Sequence, residues 1–226
     1  MLNTDGQYRL VFCTNTELHY GALLKGLNEI AFIGKTISES RTDTYSERAA
    51  NIPVNSGVDK AREYCVGESF LSSITFMGCS PYIELEPPEQ LLATDTANFC
   101  FIRVSTTSQT NMAYHEEQFE LLKTIPRCKH CRKIISDWPL KAQSLNTTSN
   151  NNRLTCPNCD VVLTRNDLDW RKASGVGNVF VEVLNVYLQE AVPTDAFLLQ
   201  LEMITSSTWQ YFYTDSNIKT KLLDSV

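Results

Sequence analysis

A chain of 226 residues with 42% hydrophobic and 20% charged residues has enough apolar material for a real core, and too much for a chain that stays unfolded. Its formal net charge of -6 repels nucleic acid and anionic membrane over the surface as a whole, so contact with a polyanion would need a local basic patch. No apolar run reaches the roughly eighteen residues a membrane-spanning helix requires, and the polar stretch Met1–Gln7 lacks the basic-then-apolar order of a secretory signal, so a cytoplasmic protein with no membrane contact is expected.

In chain order, Tyr8–Cys13 reads as a first strand, built of branched and aromatic residues. From Tyr20 to Ile33 the residues Leu23, Leu24, Leu27, Ile30 and Ala31 recur at three- and four-residue steps, which predicts a helix closed by Gly34. Thr36–Lys60 is polar and without aliphatic pattern, and is expected as a long surface loop. Phe70–Phe76 and Tyr82–Leu85 are expected as two strands around the turn Gly78-Cys79-Ser80-Pro81, the second ended by Pro87-Pro88. Asn98–Thr106 is another strand. Glu116–Thr124 has a short helical stripe stopped by Pro126, and Gln143–Arg153 is a polar loop tip.

Toward the C-terminus, Val179–Leu188 is nearly continuous in Val, Phe, Leu and Tyr, interrupted by Glu182 and Asn185. Such a run predicts a central strand covered on both faces. Pro193-Thr194-Asp195 opens a helix with Phe197, Leu198, Leu201 and Ile204 on one side. Trp209–Tyr213 closes as an aromatic strand whose Trp209, Tyr211 and Tyr213 share a face, as core or interface packing requires. The fold class expected is α+β, a mixed, sheet-rich core carrying one insertion. Residues 1–124 form its N-terminal region, 125–165 the insertion and 166–226 a strand-helix-strand that completes the core.

The chemistry concentrates in that insertion. Of eight cysteines, Cys13, Cys65, Cys79 and Cys100 are scattered singly among apolar neighbours, whereas Cys128, Cys131, Cys156 and Cys159 form two Cys-x-x-Cys pairs separated by twenty-four residues. Zinc prefers four soft thiolates in a tetrahedron, and two residues between cysteines let one tight turn donate two sulfurs to the same ion. Metal ligands plus core thiols therefore explain the cysteines better than a disulfide framework. A catalytic zinc would keep an open position, and a redox pair would follow a strand and open a helix; neither pair has that context. Zn2+ is accordingly expected in a structural role.

Arg127, Lys129, Arg132 and Lys133 surround the first pair with no acid between Lys123 and Ser136. A four-thiolate zinc centre carries about -2 of formal charge, which these cations offset. The same cluster is the candidate binding patch. The residues Arg127-Cys128-Lys129-His130-Cys131 and Thr155-Cys156-Pro157-Asn158-Cys159 resemble a zinc ribbon, over residues 125–165 only. The resemblance implies a metal-braced element and leaves function open, since zinc ribbons serve in transcription, translation, maturation and enzymes alike. The insert between the pairs is longer than the usual hairpin and leaves room for an extra element at Ile134–Leu140.

Three functions compete on these residues. The first is a non-enzymatic accessory or adaptor protein acting through a protein partner. The second is an enzyme around Cys79, with His115 or His19 as base and Thr36–Lys60 as lid. The third is nucleic-acid binding through the basic turn, which the net charge disfavours. Ser174-Gly175-Val176-Gly177 fails the phosphate-loop pattern, having no Gly-Lys-Ser/Thr and preceding its strand.

Overall fold

The computed structural model describes residues 8–37, 58–77, 83–87, 99–107, 125–136, 153–164, 167–175, 177–187 and 190–215. Its centre is an open sheet of six strands, all paired antiparallel. They are β1 (Tyr8–Thr14), β2 (Ile33–Thr36), β3 (Val58–Val66), β5 (Phe101–Thr107), β10 (Val179–Val186) and β12 (Gln210–Asp215), in the order β12-β1-β10-β5-β3-β2. Strands from both ends of the sequence thus alternate in one sheet. The cysteine-bearing stretch lies between β5 and β10, two strands that pair with each other.

Three helices occur among the described residues: α1 (Tyr20–Glu29), the single turn α2 (Phe70–Ser73) and α3 (Asp195–Thr205). The His19 imidazole caps α1, its Nδ1 accepting from the Gly21 amide at 3.3 Å. Thr194 Oγ1 caps α3 by accepting from Phe197 N at 3.2 Å. Leu23 and Leu27 of α1 and Phe197 and Leu201 of α3 pack on one face of the sheet with Leu10, Phe12, Ile102, Val104, Val181 and Val183. Gly26, which weakens α1 as an isolated helix, lets the two helices touch: a Cβ there would lie 2.5 Å from Ile204 Cγ2.

β10 is central and buried along nearly its whole length, as its apolar run predicts. Its polar interruption has a partner set that no single strand displays. On the face away from the helices, Glu182 lies between Phe180 and Leu184, opposite Arg103 of β5, which in turn lies opposite Glu63 of β3. Arg103 donates through Nε and Nη2 to Glu63 Oε1 at 2.9 and 2.6 Å. Glu182 sits 3.6 Å from Arg9 Nη1 and 4.0 Å from Arg103 Nη1. Two arginines and two glutamates, all buried, form a neutral row across four neighbouring strands.

The structure corrects several local expectations. α1 ends at Glu29 with Ile30 as its cap, not at Gly34, because Ala31 takes the left-handed conformation (φ 54°); Phe32 N then bonds Leu27 O and Ala31 N bonds Asn28 O. This is a Schellman closure with alanine where glycine is usual, and Gly34 lies inside β2. Phe70–Phe76 is a helical turn followed by the short strand β4 (Ile74–Phe76), which pairs with β11 (Ala191–Pro193). Ser69 ties the start of that turn to the end of α1, its hydroxyl donating to Ile30 O at 2.6 Å. Near Tyr82–Leu85 the described residues form only a bridge from Glu84 to Phe99. Both ends of the expected Thr36–Lys60 loop are strand, and no apolar alternation signals β3. Residues 38–57, the expected turn Gly78–Pro81, the expected helix Glu116–Thr124, residues 143–152 of the expected loop tip and residues 137–140 lie outside the described set.

Glu182→Gln is expected to lower unfolding free energy in urea by about 3–5 kcal/mol, because it leaves a buried arginine charge uncompensated. A loss below about 1 kcal/mol would show that the row adds nothing to stability.

Candidate metal centre

The two cysteine pairs sit on two turns of the same construction. In the first, β6 (Arg127–Cys128) leads in, Arg127 bridges back to Ile134, Cys128 N donates to Lys133 O at 3.0 Å and Arg132 N to Cys128 O at 2.8 Å. In the second, β7 (Leu154–Thr155) pairs with β8 (Val162–Leu163), Cys156 N donates to Val161 O at 2.9 Å and Asp160 N to Cys156 O at 3.0 Å. The residue after the second cysteine of each pair, Arg132 or Asp160, is left-handed (φ 60° and 56°). That conformation reverses the chain so that both sulfurs of a pair face inward. A further strand, β9 (Leu168–Asp169), pairs with β6 and is held by Lys129 N donating to Asp167 O at 3.2 Å.

The turns bring Cys128, Cys131, Cys156 and Cys159 together, with all four Sγ atoms within 4.8 Å of one another. Cys128 Sγ to Cys159 Sγ is 3.9 Å and Cys131 Sγ to Cys156 Sγ is 3.7 Å. A tetrahedron with metal–sulfur bonds of about 2.3 Å has edges of roughly 3.8 Å, so the donor set fits zinc. These separations are far beyond a disulfide bond of about 2.05 Å. Ile135, Leu154, Leu163, Leu168 and Trp170 bury Cys128 and Cys156 in a small core distinct from that of the sheet.

The thiols do not share their protons evenly. Burial opposes ionisation of Cys156, but the Asn158 amide and the neighbouring Cys159 and Cys131 thiols outweigh it and bring its pKa down to about 7. At Cys159 the Val161 amide favours the thiolate, yet burial and the other three sulfurs prevail and push it up to about 12. Four thiolates within 4.8 Å of one another repel, so binding through all four sulfurs calls for a cation among them.

The four basic residues are not equivalent. Arg127 is half-buried, its Nη1 donating to Arg132 O at 3.3 Å. Lys129 faces Asp167, whose carboxyl is held low chiefly by the Thr164 amide, against some burial, with the Thr164 hydroxyl and Lys129 assisting. Arg132 and Lys133 are exposed on the turn. His130 is exposed between the first two cysteines and takes no place in the sulfur cluster. The Thr164–Asp167 staple, with Thr164 N and Oγ1 donating to Asp167 Oδ2 at 2.8 and 2.7 Å, is a support that sequence reasoning missed; the Thr-x-x-Asp spacing was its only signal.

The module joins the sheet through a turn whose two central residues, Arg171 and Lys172, are both left-handed, closed by Ala173 N donating to Trp170 O at 2.9 Å. Lys172 O accepts from Tyr213 N at 2.9 Å, occupying part of the outer edge of β12. The Lys172 ammonium bonds the Tyr211 hydroxyl and lies 4.2 Å from that ring's centroid. Gly177 must be glycine for the chain to enter β10, since a Cβ would meet Thr14 O at 2.7 Å.

Cys79 and His115 lie outside the described residues. His19 is engaged as a helix cap. Cys13 and Cys100 are fully buried, and burial pushes the Cys100 and Cys65 thiols up, the opposite of an activated nucleophile. Iodoacetamide should therefore leave Cys13 and Cys100 unmodified in the native protein at neutral pH, and label them only after unfolding. Peptide mapping that finds native Cys100 alkylated would contradict the burial described here.

Compared with protein families, with curated proteins and with solved structures, the chain finds no match in any of the three, so the reading of its function stands on its own residues.

Proposed function

We propose that Cys128, Cys131, Cys156 and Cys159 hold one structural zinc ion, that residues 125–165 are a zinc-ribbon-like insertion, and that the protein is a non-enzymatic accessory or adaptor acting through protein contacts. The observation that carries the metal assignment is the pair of sulfur separations, 3.7 and 3.9 Å, at the edge length of a thiolate tetrahedron. Four thiolates fill the coordination shell and leave no position for water or substrate, which favours a structural over a catalytic ion. The adaptor reading draws on the exposed cations beside the site and on the lack of an activated thiol among the described non-ligand cysteines.

When bound, zinc supplies a divalent charge that neutralises part of the thiolate charge and ties two turns across twenty-four residues. The chain positions the sulfurs and buries Cys128 and Cys156 against Leu154, Leu163 and Trp170, while Cys131 and Cys159 are half-buried.

Elemental analysis of the purified protein should find about one zinc per chain, and Cys156→Ser should abolish it. Cobalt in its place should give the intense visible absorption of a tetrahedral thiolate site. Stripping the metal should melt the module's small core, whereas the sheet's far-UV signal persists because its core is separate. Metal content far below one ion per chain, or weak octahedral cobalt bands, would refute the assignment.

A further inference from the structure

The module carries branched aliphatic side chains on its outside as well as cations. Ile125 and Ile134 are 43% and 47% exposed. Arg127 bridges to Ile134, and Ile125 precedes Arg127 by two residues, so all three lie on the outward side of the first hairpin, opposite buried Cys128 and Ile135. The second hairpin repeats the arrangement. Val162, six residues after Cys156 as Ile134 is after Cys128, is 56% exposed, and the next residue, Leu163, is buried as Ile135 is. The two hairpins are joined across the site by Asn158 Nδ2 donating to Ile134 O at 3.3 Å.

From Ile125 to Ser136 the chain holds four cations and no carboxylate, in a protein of net charge -6. Exposed aliphatic side chains flanked by cations match a small apolar interface centre with a charged rim, in which arginine is favoured. Nucleic acid is the poorer fit. Phosphate contacts need no exposed isoleucine, and for base stacking Trp170 is 5% exposed, which leaves the small imidazole of His130 as the ring on the basic turn.

We propose that this face docks an acidic polypeptide segment bearing apolar side chains. Ile125 and Ile134 take the apolar residues, and Arg132 and Lys133 take the carboxylates, while half-buried Arg127 stands opposite Asp169 of β9. The proposal rests on the zinc-braced reading in one respect: the brace fixes the hairpin that presents these residues.

The test uses the full-length protein, its zinc content measured for every variant, and fluorescence anisotropy of a labelled amphipathic peptide of glutamate and leucine, about 20 residues long. Polyglutamate and a single-stranded oligonucleotide of similar length serve as comparison probes. The amphipathic peptide should bind more tightly than either. Ile125→Ser/Ile134→Ser and Arg132→Asn/Lys133→Glu should each raise Kd at least about tenfold with zinc retained. Asparagine at position 132 suits the left-handed backbone, and neither residue of the second variant is in the module's core, so that variant decides the matter should the isoleucine variant lose its metal. Equal binding of polyglutamate, equal or tighter binding of the oligonucleotide, or concentration-dependent self-association that blocks the peptide would overturn the proposal. Wild-type protein that binds the peptide yet carries no zinc would overturn the brace and keep the surface.

Discussion

Four sulfurs from two distant turns converge to separations of 3.7 and 3.9 Å, too long for a disulfide and too crowded for four uncompensated thiolates. The module is organised around that convergence. The left-handed Arg132 and Asp160 aim the sulfurs, the amides of Cys128 and Cys156 close the turns, and β9 pairs with the first turn through Lys129 and Asp167. The local apolar core is too small to carry such a layout by itself, and a structural metal is the usual remedy for a small core.

The sheet solves a separate problem. Its helix-covered face is apolar, and its other face carries Arg9, Glu182, Arg103 and Glu63 in alternating sign among aromatic and aliphatic neighbours. Desolvating such a row offsets much of its Coulomb gain, so its worth lies as much in register as in stability. Side chains alternate faces along a strand, and a slip of β5 by one residue against β10 would carry Arg103 into the apolar helix face. Module and sheet meet where the turn at Arg171–Lys172 covers the edge of β12 and the chain passes Gly177 into β10.

What the sequence revealed follows from which interactions are local. The cysteine pairs were legible because two-residue spacing is dictated by the turn that donates both sulfurs. β1, β10, α3 and β12 were legible from apolar runs and from a Thr194 cap. β3 was not, because Arg62-Glu63 in its middle reads as solvated, and only Arg103, forty residues on, makes Glu63 a buried residue. The end of α1 was misplaced because Ala31 takes the conformation that glycine usually marks. Phe70–Phe76 fits helix and strand equally by pattern, and the contact of Ser69 with Ile30 decides it. At the site, the four clustered cysteines were legible one by one, whereas the unequal settings of Arg127, Lys129, Arg132 and Lys133 depend on Asp167 and on the turn geometry.

A closed shell of four sulfurs around one zinc has a distinctive X-ray absorption signature at the zinc edge, measurable on protein as purified. Four sulfur scatterers at about 2.3 Å, with no lighter atom in the first shell, are expected. A nitrogen or oxygen scatterer at about 2.0–2.1 Å would place a histidine, carboxylate or water on the metal and contradict the closed shell.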